Sequence, residues 1–229
     1  MASLLFIPGS LRAASSSRAT IAALIDRIGD AATVTVADPG ALPHYNADVT
    51  GDPAVAAFID QIRAADGLIF VTPEYNYSVP GVLKNAIDWA SRPAFDSVFK
   101  GKRCLVITTS GGALGGVRAQ AHLKYVLNGM LAEVFATLEI VVPFANAKVE
   151  NGKLTDAAIL DFAGAALSDF MATLGWSGPS GCGWSRSTTA AGGPPTARPT
   201  AKRCTTRAPS LATAGRTFRR CWPRVRRRR

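Results

Sequence analysis

The chain has 229 residues and a formal net charge of +10, and this charge is divided unevenly along it. Residues 1–175 carry 13 Lys and Arg against 16 Asp and Glu, whereas residues 176–229 carry 13 basic residues and no acidic one. The first part therefore lacks the basic surface of a nucleic-acid-binding domain. No apolar run approaches the ~18 residues that a membrane span needs.

Of the four cysteines, only Cys104 lies in the first part of the chain. It falls in the apolar run CLVITT, which predicts a buried structural thiol. No cluster of Cys and His has the spacing of zinc ligands, and the start, MASLLFIPGSLR, lacks the basic segment of a signal peptide. We therefore expect a cytoplasmic protein without a bound metal.

Short strand patterns alternate with longer helical patterns along residues 1–175, in the order strand, helix, strand, helix. Strands are predicted at residues 4–7, 33–37, 67–72 and 103–109 and within 134–142; helices are predicted at about 21–28, 53–62, 80–91, 116–131 and 156–174. Short loops between these elements predict a parallel sheet covered on both faces. An open, doubly wound sheet with right-handed crossovers is the expected arrangement.

Residues 176–229 have a different composition, since 25 of these 54 residues are Gly, Pro, Ser or Thr. Such a segment cannot bury enough apolar surface to offset its ordering entropy, so we predict a disordered, Arg-rich tail. Its residue types are those of GC-rich codons, and out-of-frame translation is the preferred interpretation. A genuine basic tail for nucleic acid or acidic membranes, or a small module, is the alternative.

The loop after the first strand reads GSLRAASSSR, residues 9–18. Ligands of open α/β sheets bind beyond the carboxyl ends of the strands, where the strand order reverses. The loop matches neither the Walker nor the GxGxxG pattern. It offers serine hydroxyls, Arg12 and Arg18 at a helix N-terminus, which together favour a terminal phosphate. An ordinary serine-capped helix is the alternative.

The loops after the third and fourth strands suit a flat ligand. The first of them, TPEYNYSVPGVLKNAIDWASRP at residues 72–93, places two tyrosines around Asn76 on a segment stiffened by prolines. The second, SGGALGG at residues 110–116, lets the backbone approach a ligand closely. A flexible turn is the alternative for this second loop.

These loops resemble those of the NADPH-dependent FMN reductase family of flavodoxin-like proteins, which includes soluble quinone, chromate and azo-dye reductases. The resemblance covers residues 1–175 and is most specific in the PEYNYSVP segment. It implies a five-stranded parallel sheet in the order 2-1-3-4-5, with FMN held non-covalently where the strand order reverses. Residues 1–175 would then be the FMN-binding domain.

The resemblance also implies which residues contact FMN. The phosphate would be held by Ser10, Arg12, Ser15 and Ser17. The isoalloxazine would be lined by Pro73, Glu74, Tyr75, Asn76 and Ser78, with Ser110 and Gly112 on its other side. Two positions depart from the family: Ser17 stands where Asn is common, and Gly111 where Pro is frequent. We expect weaker phosphate binding and a looser third loop.

The implied function is that of an NAD(P)H-dependent FMN oxidoreductase. It would reduce quinones or similar small acceptors, such as azo dyes, chromate or flavins, by ping-pong hydride transfer through FMN, with NADPH or NADH as donor. A reductase that supplies reduced FMN to a monooxygenase is an alternative. So is a flavodoxin-type electron carrier, although the small negative charge of residues 1–175 gives little of the acidic surface that steers such a carrier. Nucleic-acid binding through the tail is a third.

The expected partners are a small-molecule electron acceptor and further copies of the chain. The resemblance implies a homodimer or homotetramer, with helices that flank the PEYNYSVP loop at the interface. Trp89 is a candidate contact there, or else a core residue. His122 is expected to be a packing or interface residue. We expect no specific nucleic acid and no insertion into a membrane.

Overall fold

Strand β3, Gly67–Pro73, occupies the centre of the sheet, and all of its residues are buried. Its apolar run does not alternate with polar residues, because both faces of the strand are covered by helices. The computed structural model describes residues 1–175. The predictions for the tail, residues 176–229, lie outside the described residues.

Strands and helices alternate along the chain as the sequence predicts. The elements are β1 Ala2–Pro8, α1 Ser16–Ile28, β2 Ala32–Val36, α2 Pro53–Ala64, β3 Gly67–Pro73, α3 Gly81–Ala90, β4 Arg103–Thr109, α4 Val117–Gly129, β5 Glu133–Val134, β6 Ile140–Val142, β7 Val149–Glu150, β8 Lys153–Leu154 and α5 Ala157–Leu174. Parallel pairing orders the main sheet β2-β1-β3-β4-β5. The predicted order 2-1-3-4-5 is therefore confirmed, and the strand order reverses between β1 and β3.

The predicted fifth strand is interrupted, and its two parts, β5 and β6, pair separately with the start and the end of β4. The segment between them leaves the ladder, and Phe135 packs edge-on against Phe170 of α5 with ring centroids 5.6 Å apart. The buried Gln120 of α4 fills the gap in the ladder. Its Nε2 donates to the carbonyl oxygens of Ile140 at 2.9 Å and Val106 at 3.4 Å.

Two apolar layers cover the faces of the sheet. Helices α2, α3 and α4 pack on one face around Phe70 and Phe99, and α1 and α5 pack on the other around Phe6 and Phe170. Cys104 is buried in the first layer, as predicted. This burial raises the pKa of its thiol, so the side chain stays protonated at neutral pH.

Among the described residues, α5 is the one helix long and apolar enough to cross a membrane, with a mean hydropathy of 1.4. Its Leu160, Leu167 and Phe170 are buried against the sheet. On its outer face, Asp161 forms an ion pair with Arg27 of α1 at 2.7 Å. One face of α5 therefore packs on the sheet, as in an amphipathic helix of a folded domain, and 28% of the helix is buried.

Candidate functional site

The carboxyl ends of β1, β3 and β4 meet at one edge of the sheet, and all three predicted loops leave from this edge. The N–H of Gly9 donates to Val71 O at 2.9 Å, and that of Glu74 donates to Thr109 O at 3.2 Å. A Cβ on Gly9 would lie 2.0 Å from Thr72 Oγ1. Only glycine therefore allows β1 and β3 to approach so closely where the strand order reverses.

The phosphate loop, residues 9–18, is held by short-range hydrogen bonds of its own. Ser15 caps α1, because its Oγ accepts from the N–H of Arg18 at 3.1 Å. The Oγ of Ser10 accepts from the N–H of Arg12 at 3.3 Å, and Arg18 Nε donates back to Ser10 O at 3.3 Å. These bonds fix the loop and leave the Arg12 side chain exposed beside it.

The first turn of α1 presents free backbone donors to this loop. Within residues 1–175, the N–H groups of Ser16 and Ser17 make no hydrogen bond to protein. Free N–H groups at a helix N-terminus, together with the helix dipole, favour an anion. The Ser17 side chain is buried, and its Oγ lies 3.2 Å from Ser15 Oγ. The predicted side-chain contact of Ser17 with phosphate stays a prediction, and its N–H is the better placed donor.

The flavin turn, residues 75–78, is a two-residue hairpin turn. Tyr75 and Ser78 exchange both backbone hydrogen bonds, each 3.0 Å long. Between them, Asn76 and Tyr77 have φ angles of 48° and 68°, as type I′ turns require at both central positions. Asn tolerates this conformation, whereas Tyr77 adopts it against the steric preference of its Cβ. The ring of Tyr77 is 66% exposed.

The carboxylate of Glu74 caps helix α4. Its Oε2 accepts from the N–H groups of Arg118 at 3.0 Å and Ala119 at 3.1 Å, and its Oε1 accepts from Arg118 Nη1 at 3.3 Å. The helix has Gly116 at its own N-cap, which offers no side-chain acceptor, so Glu74 satisfies N–H groups that the helix leaves unpaired. The contact of Glu74 with the isoalloxazine stays a prediction, since its carboxylate has this structural use.

The glycine-rich third loop packs tightly against β6. Gly115 and Gly116 have φ angles of 60° and 89°, and a Cβ on Gly115 would lie 2.7 Å from the Val141 side chain. Both glycines are therefore required by the turn into α4. Gly111 and Gly112 have more room, since a Cβ on Gly111 would meet only Asn146 Nδ2, at 3.3 Å. This half of the loop is the one open to a ligand.

A fourth loop, directly after β6, also belongs to the site. Ser110 O and Gly112 O accept from the N–H groups of Ala145 at 2.8 Å and Phe144 at 3.1 Å. These bonds bring Asn146 to the third loop. Sequence reasoning missed Asn146, although the rule that ligands bind at the carboxyl ends of parallel strands also applies to the segment after β6.

One cleft of about 120 Å³ at this edge collects most of the predicted residues. It is lined by Ser10, Arg12, Ser15, Ser16, Pro73, Glu74, Tyr75, Ser110, Gly111 and Asn146. The predicted residues Ser17, Asn76, Ser78 and Gly112 do not line it. Hydroxyls, a guanidinium and free N–H groups at one end suit a phosphate, and Pro73 and Tyr75 at the other suit a flat ring. These residues fit the groups of FMN.

A larger cleft among the described residues lies elsewhere, at the opposite edge of the sheet. It has a volume of about 550 Å³ and is lined by charged side chains, among them Arg63, Asp66 and Lys102. Lys102 Nζ there donates to Arg63 O and Ala65 O at 2.9 and 2.6 Å. These are carbonyls at the C-terminus of α2, so the lysine has a structural role. Volume alone therefore does not locate the ligand site.

A doubly wound parallel sheet in the order β2-β1-β3-β4-β5 is that of a flavodoxin-like protein. Comparison with known proteins gives the family. Residues 2–147 match the model of the NADPH-dependent FMN reductase family, and the chain therefore belongs to this family. The predicted class, an NAD(P)H-dependent oxidoreductase with FMN as cofactor, is thereby confirmed.

Curated proteins and solved structures similar to the chain agree with this assignment. An NAD(P)H-dependent FMN reductase of Pseudomonas aeruginosa is 43% identical over 154 residues, 66% of this chain and 83% of the relative. A quinone reductase of Escherichia coli is 42% identical over 170 residues, 71% of this chain and 89% of the relative. Among solved structures, the flavoenzyme NAD(P)H:(acceptor) oxidoreductase of Paracoccus denitrificans is 32% identical, with a TM-score of 0.68 over 76% of this chain and 97% of that one.

Proposed function

We propose that this protein uses FMN to transfer hydride from NADPH or NADH to quinones or similar small acceptors. The observation that carries the proposal is the cleft that residues of the phosphate loop line together with Pro73 and Tyr75. The similar Escherichia coli protein is named a quinone reductase, which supports a quinone as the acceptor here. Azo dyes, chromate and free flavins are further acceptors within the proposal.

The phosphate loop would bind the phosphate of FMN. Arg12 contributes a charge-assisted hydrogen bond, which is about twice as strong as a neutral one. The hydroxyls of Ser10 and Ser15, together with the free N–H groups of Ser16 and Ser17, would satisfy the remaining oxygens. The Ser16 hydroxyl already donates to Thr109 Oγ1 at 3.1 Å. Because Ser10 and Ser15 also bond within the loop, the cradle exists before the ligand arrives.

The flavin turn would orient the ring and stabilise its charge. Within residues 1–175, the N–H groups of Asn76 and Tyr77 make no hydrogen bond to protein, so they can donate to a ligand. Such preorganised donors stabilise negative charge that develops on a reduced ring. FMN, when bound, supplies the atom that takes up and returns the hydride.

Turnover of NADPH with a quinone tests the proposal. FMN should co-elute with the protein in gel filtration, and NADPH oxidation should depend on the added benzoquinone. A flavodoxin-type carrier would bind FMN but show no direct turnover. A reductase that supplies free reduced FMN would need FMN in excess of the enzyme. A protein that binds no FMN would contradict the proposal.

We also propose a cytoplasmic homodimer or homotetramer with its interface near α3 and α4. Exposed Val117, Ala121 and Tyr125 line one groove on α4, and an apolar groove on the surface supports an interface on that helix. Trp89 of α3 is buried, and its Nε1 donates to Pro43 O at 2.8 Å, which favours the core alternative for this residue. Light scattering that shows only a monomer would contradict the proposed assembly.

A further inference from the structure

We propose that Glu74 and Arg118 are positioning residues that hold the flavin turn, residues 75–78, in its strained conformation. Glu74 is itself one of the residues that line the cleft, whereas Arg118 lies on α4 and contacts the ring of Tyr77. The inference rests on the proposed function for its effect on flavin. The hold on the turn itself is a property of the chain and is testable without any ligand.

The flavin turn needs support from outside its own hydrogen bonds. Tyr77 has a φ of 68° at the second central position, where type I′ turns favour glycine. An isolated two-stranded hairpin is marginally stable in water, and this one consists of a single bridge between Tyr75 and Ser78. The rest of the fold must therefore keep the turn in place.

Helix α4 supplies this support through side chains on one face. The guanidinium carbon of Arg118 lies 4.2 Å from the centroid of the Tyr77 ring, a cation–π contact. His122, four residues further along and so on the same face, has its Nδ1 3.0 Å from Ser78 Oγ. The two contacts fix the strained residue and the residue that follows it.

Glu74, the residue directly before the turn, binds the same helix. Its side chain is 11% exposed and accepts three hydrogen bonds from Arg118 and Ala119. The carboxylate thus holds the same guanidinium that covers the Tyr77 ring. Loss of the Arg118 guanidinium would release the ring of Tyr77. Loss of the whole Glu74 side chain would in addition leave the N–H groups of Arg118 and Ala119 without their acceptor.

The expected consequence is a change in how the ring of FMN is bound. The backbone conformation of the turn fixes the direction of the free N–H groups of Asn76 and Tyr77. If the turn becomes more mobile, these donors are less well oriented toward a ligand. Ring binding should weaken, and FMN and riboflavin should be affected equally because both carry the same ring. Phosphate binding belongs to the other loop and should not change.

Arg118→Ala tests the proposal against Arg27→Ala as a matched control. Arg27 also forms an ion pair, with Asp161, and its side chain is 39% exposed against 41% for Arg118, but it lies between α1 and α5. In flavin-free protein, Arg118→Ala should accelerate amide hydrogen exchange of Tyr75 and Ser78 by about tenfold. It should also lower the affinities for FMN and for riboflavin by the same factor, about fivefold. Arg27→Ala should change neither, and equal results for the two variants would overturn the proposal.

Tyr77→Gly provides the second test. Glycine adopts a positive φ without steric cost, so the turn in this variant should no longer depend on Arg118. In the Tyr77→Gly background, Arg118→Ala should accelerate the two exchange rates less than about twofold. A persisting tenfold effect would show that Arg118 acts through helix α4 in general, and the proposal would be wrong.

Glu74→Gln tests the charge of the carboxylate. An amide oxygen still accepts from the helix N–H groups, so α4 stays capped, but the attraction to Arg118 is lost. Amide hydrogen exchange at Tyr75 and Ser78 should accelerate by about threefold. Exchange rates equal to those of wild type would show that the charge of Glu74 does not hold the turn. A wild-type protein that binds neither FMN nor riboflavin would refute the proposed function, while the exchange rates would still decide whether the turn is held from α4.

Discussion

The phosphate loop and the flavin turn lie at the same edge of the sheet but are stabilised in opposite ways. Most bonds that shape the phosphate loop are local, since those from Arg18 to Ser15 and from Arg12 to Ser10 join residues three and two positions apart. One bond, from Ser16 Oγ to Thr109 Oγ1 at 3.1 Å, reaches β4. Those that hold the flavin turn join residues 44 and 45 positions apart. The first region is shaped mainly by local bonds, whereas the second combines the two backbone bonds between Tyr75 and Ser78 with contacts to α4.

The two regions should therefore respond differently to substitution. A change in the phosphate loop removes a local bond and a ligand contact, and leaves the rest of the sheet intact. Removal of the Glu74 side chain, one of the contacts next to the flavin turn, also uncaps α4, which packs on the same sheet. Ligands that share a ring but differ in phosphate, FMN and riboflavin, separate the two regions in solution.

Gly9→Ala should have the largest effect, because Gly9 lies where β1 and β3 end, and both the phosphate loop and the flavin turn follow these strands. The new Cβ would lie 2.0 Å from Thr72 Oγ1 and 2.9 Å from Thr72 Cα, so β1 and β3 must move apart. We expect the free energy of unfolding to fall by about 3 kcal/mol, measured by urea denaturation, with loss of both ligands. Gly129→Ala, which meets nothing within 4 Å, is the control, and equal stability of the two variants would contradict the prediction.

Arg12→Ala should weaken the binding of FMN by about 1.5–3 kcal/mol, since a hydrogen bond to a charged group is lost. Riboflavin lacks the phosphate, and its affinity should stay unchanged. Fluorescence titration of both ligands measures the difference. Arg63→Ala, which removes only an ion pair with Asp60 on the surface of α2, should leave both affinities as they are. Equal loss of FMN and riboflavin in Arg12→Ala would place Arg12 away from the phosphate.

Glu74→Ala should lower the free energy of unfolding by about 2 kcal/mol, because it removes a nearly buried acceptor of three bonds. FMN and riboflavin should lose affinity to the same extent, in contrast to Arg12→Ala. Asp161→Ala breaks an exposed ion pair and should cost less than about 0.5 kcal/mol. A loss confined to FMN would mean that Glu74 serves the phosphate loop.

This contrast explains what the sequence could and could not predict. The phosphate loop was identified because serine caps, arginines and a helix start are local patterns, and Ser10, Arg12 and Ser15 do line the cleft. The link between Glu74 and α4 was missed, because no local pattern pairs residues so far apart. The interruption of the fifth strand was missed too, since it depends on Gln120 and Phe170 from two different helices.

Ser15→Ala should have a smaller effect, as expected of a single local cap. Loss of the bond to Arg18 N–H should lower the free energy of unfolding by about 1 kcal/mol. The affinity for FMN should also fall, because Ser15 lines the cleft. Asp156→Ala removes the corresponding cap of α5, where Asp156 accepts from Ile159 N–H at 3.1 Å, and should leave FMN affinity unchanged. A Ser15→Ala protein with wild-type affinity for FMN would exclude its hydroxyl from the phosphate site.

The cap of α5 also predicts a dependence on pH. Hydrogen bonds from Lys148 and from the N–H of Ile159 lower the pKa of Asp156. A lowered pKa means that the folded state favours the carboxylate, so this stabilisation is complete above the ordinary pKa of Asp and is lost as the pH falls through the folded value. The difference in stability between wild type and Asp156→Ala should therefore shrink at acidic pH. If the difference in stability persists at acidic pH, it arises from packing of the Asp156 side chain and not from its charge.

Removal of residues 176–229 should have the smallest effect, because both regions of the site and the contacts that hold them lie within residues 1–175. The solved relative from Paracoccus denitrificans is matched over 97% of its length by only 76% of this chain, so a protein of this fold is complete without such an extension. The segment carries no acid, and its positive charges favour loose, salt-sensitive contacts with polyanions. A chain that ends at Gly175 should keep its affinity for FMN and its NAD(P)H-dependent turnover within a factor of about two, a shift below ~0.5 kcal/mol. Loss of flavin or of activity on truncation would show that the segment belongs to the working fold, and the predicted domain boundary would be wrong.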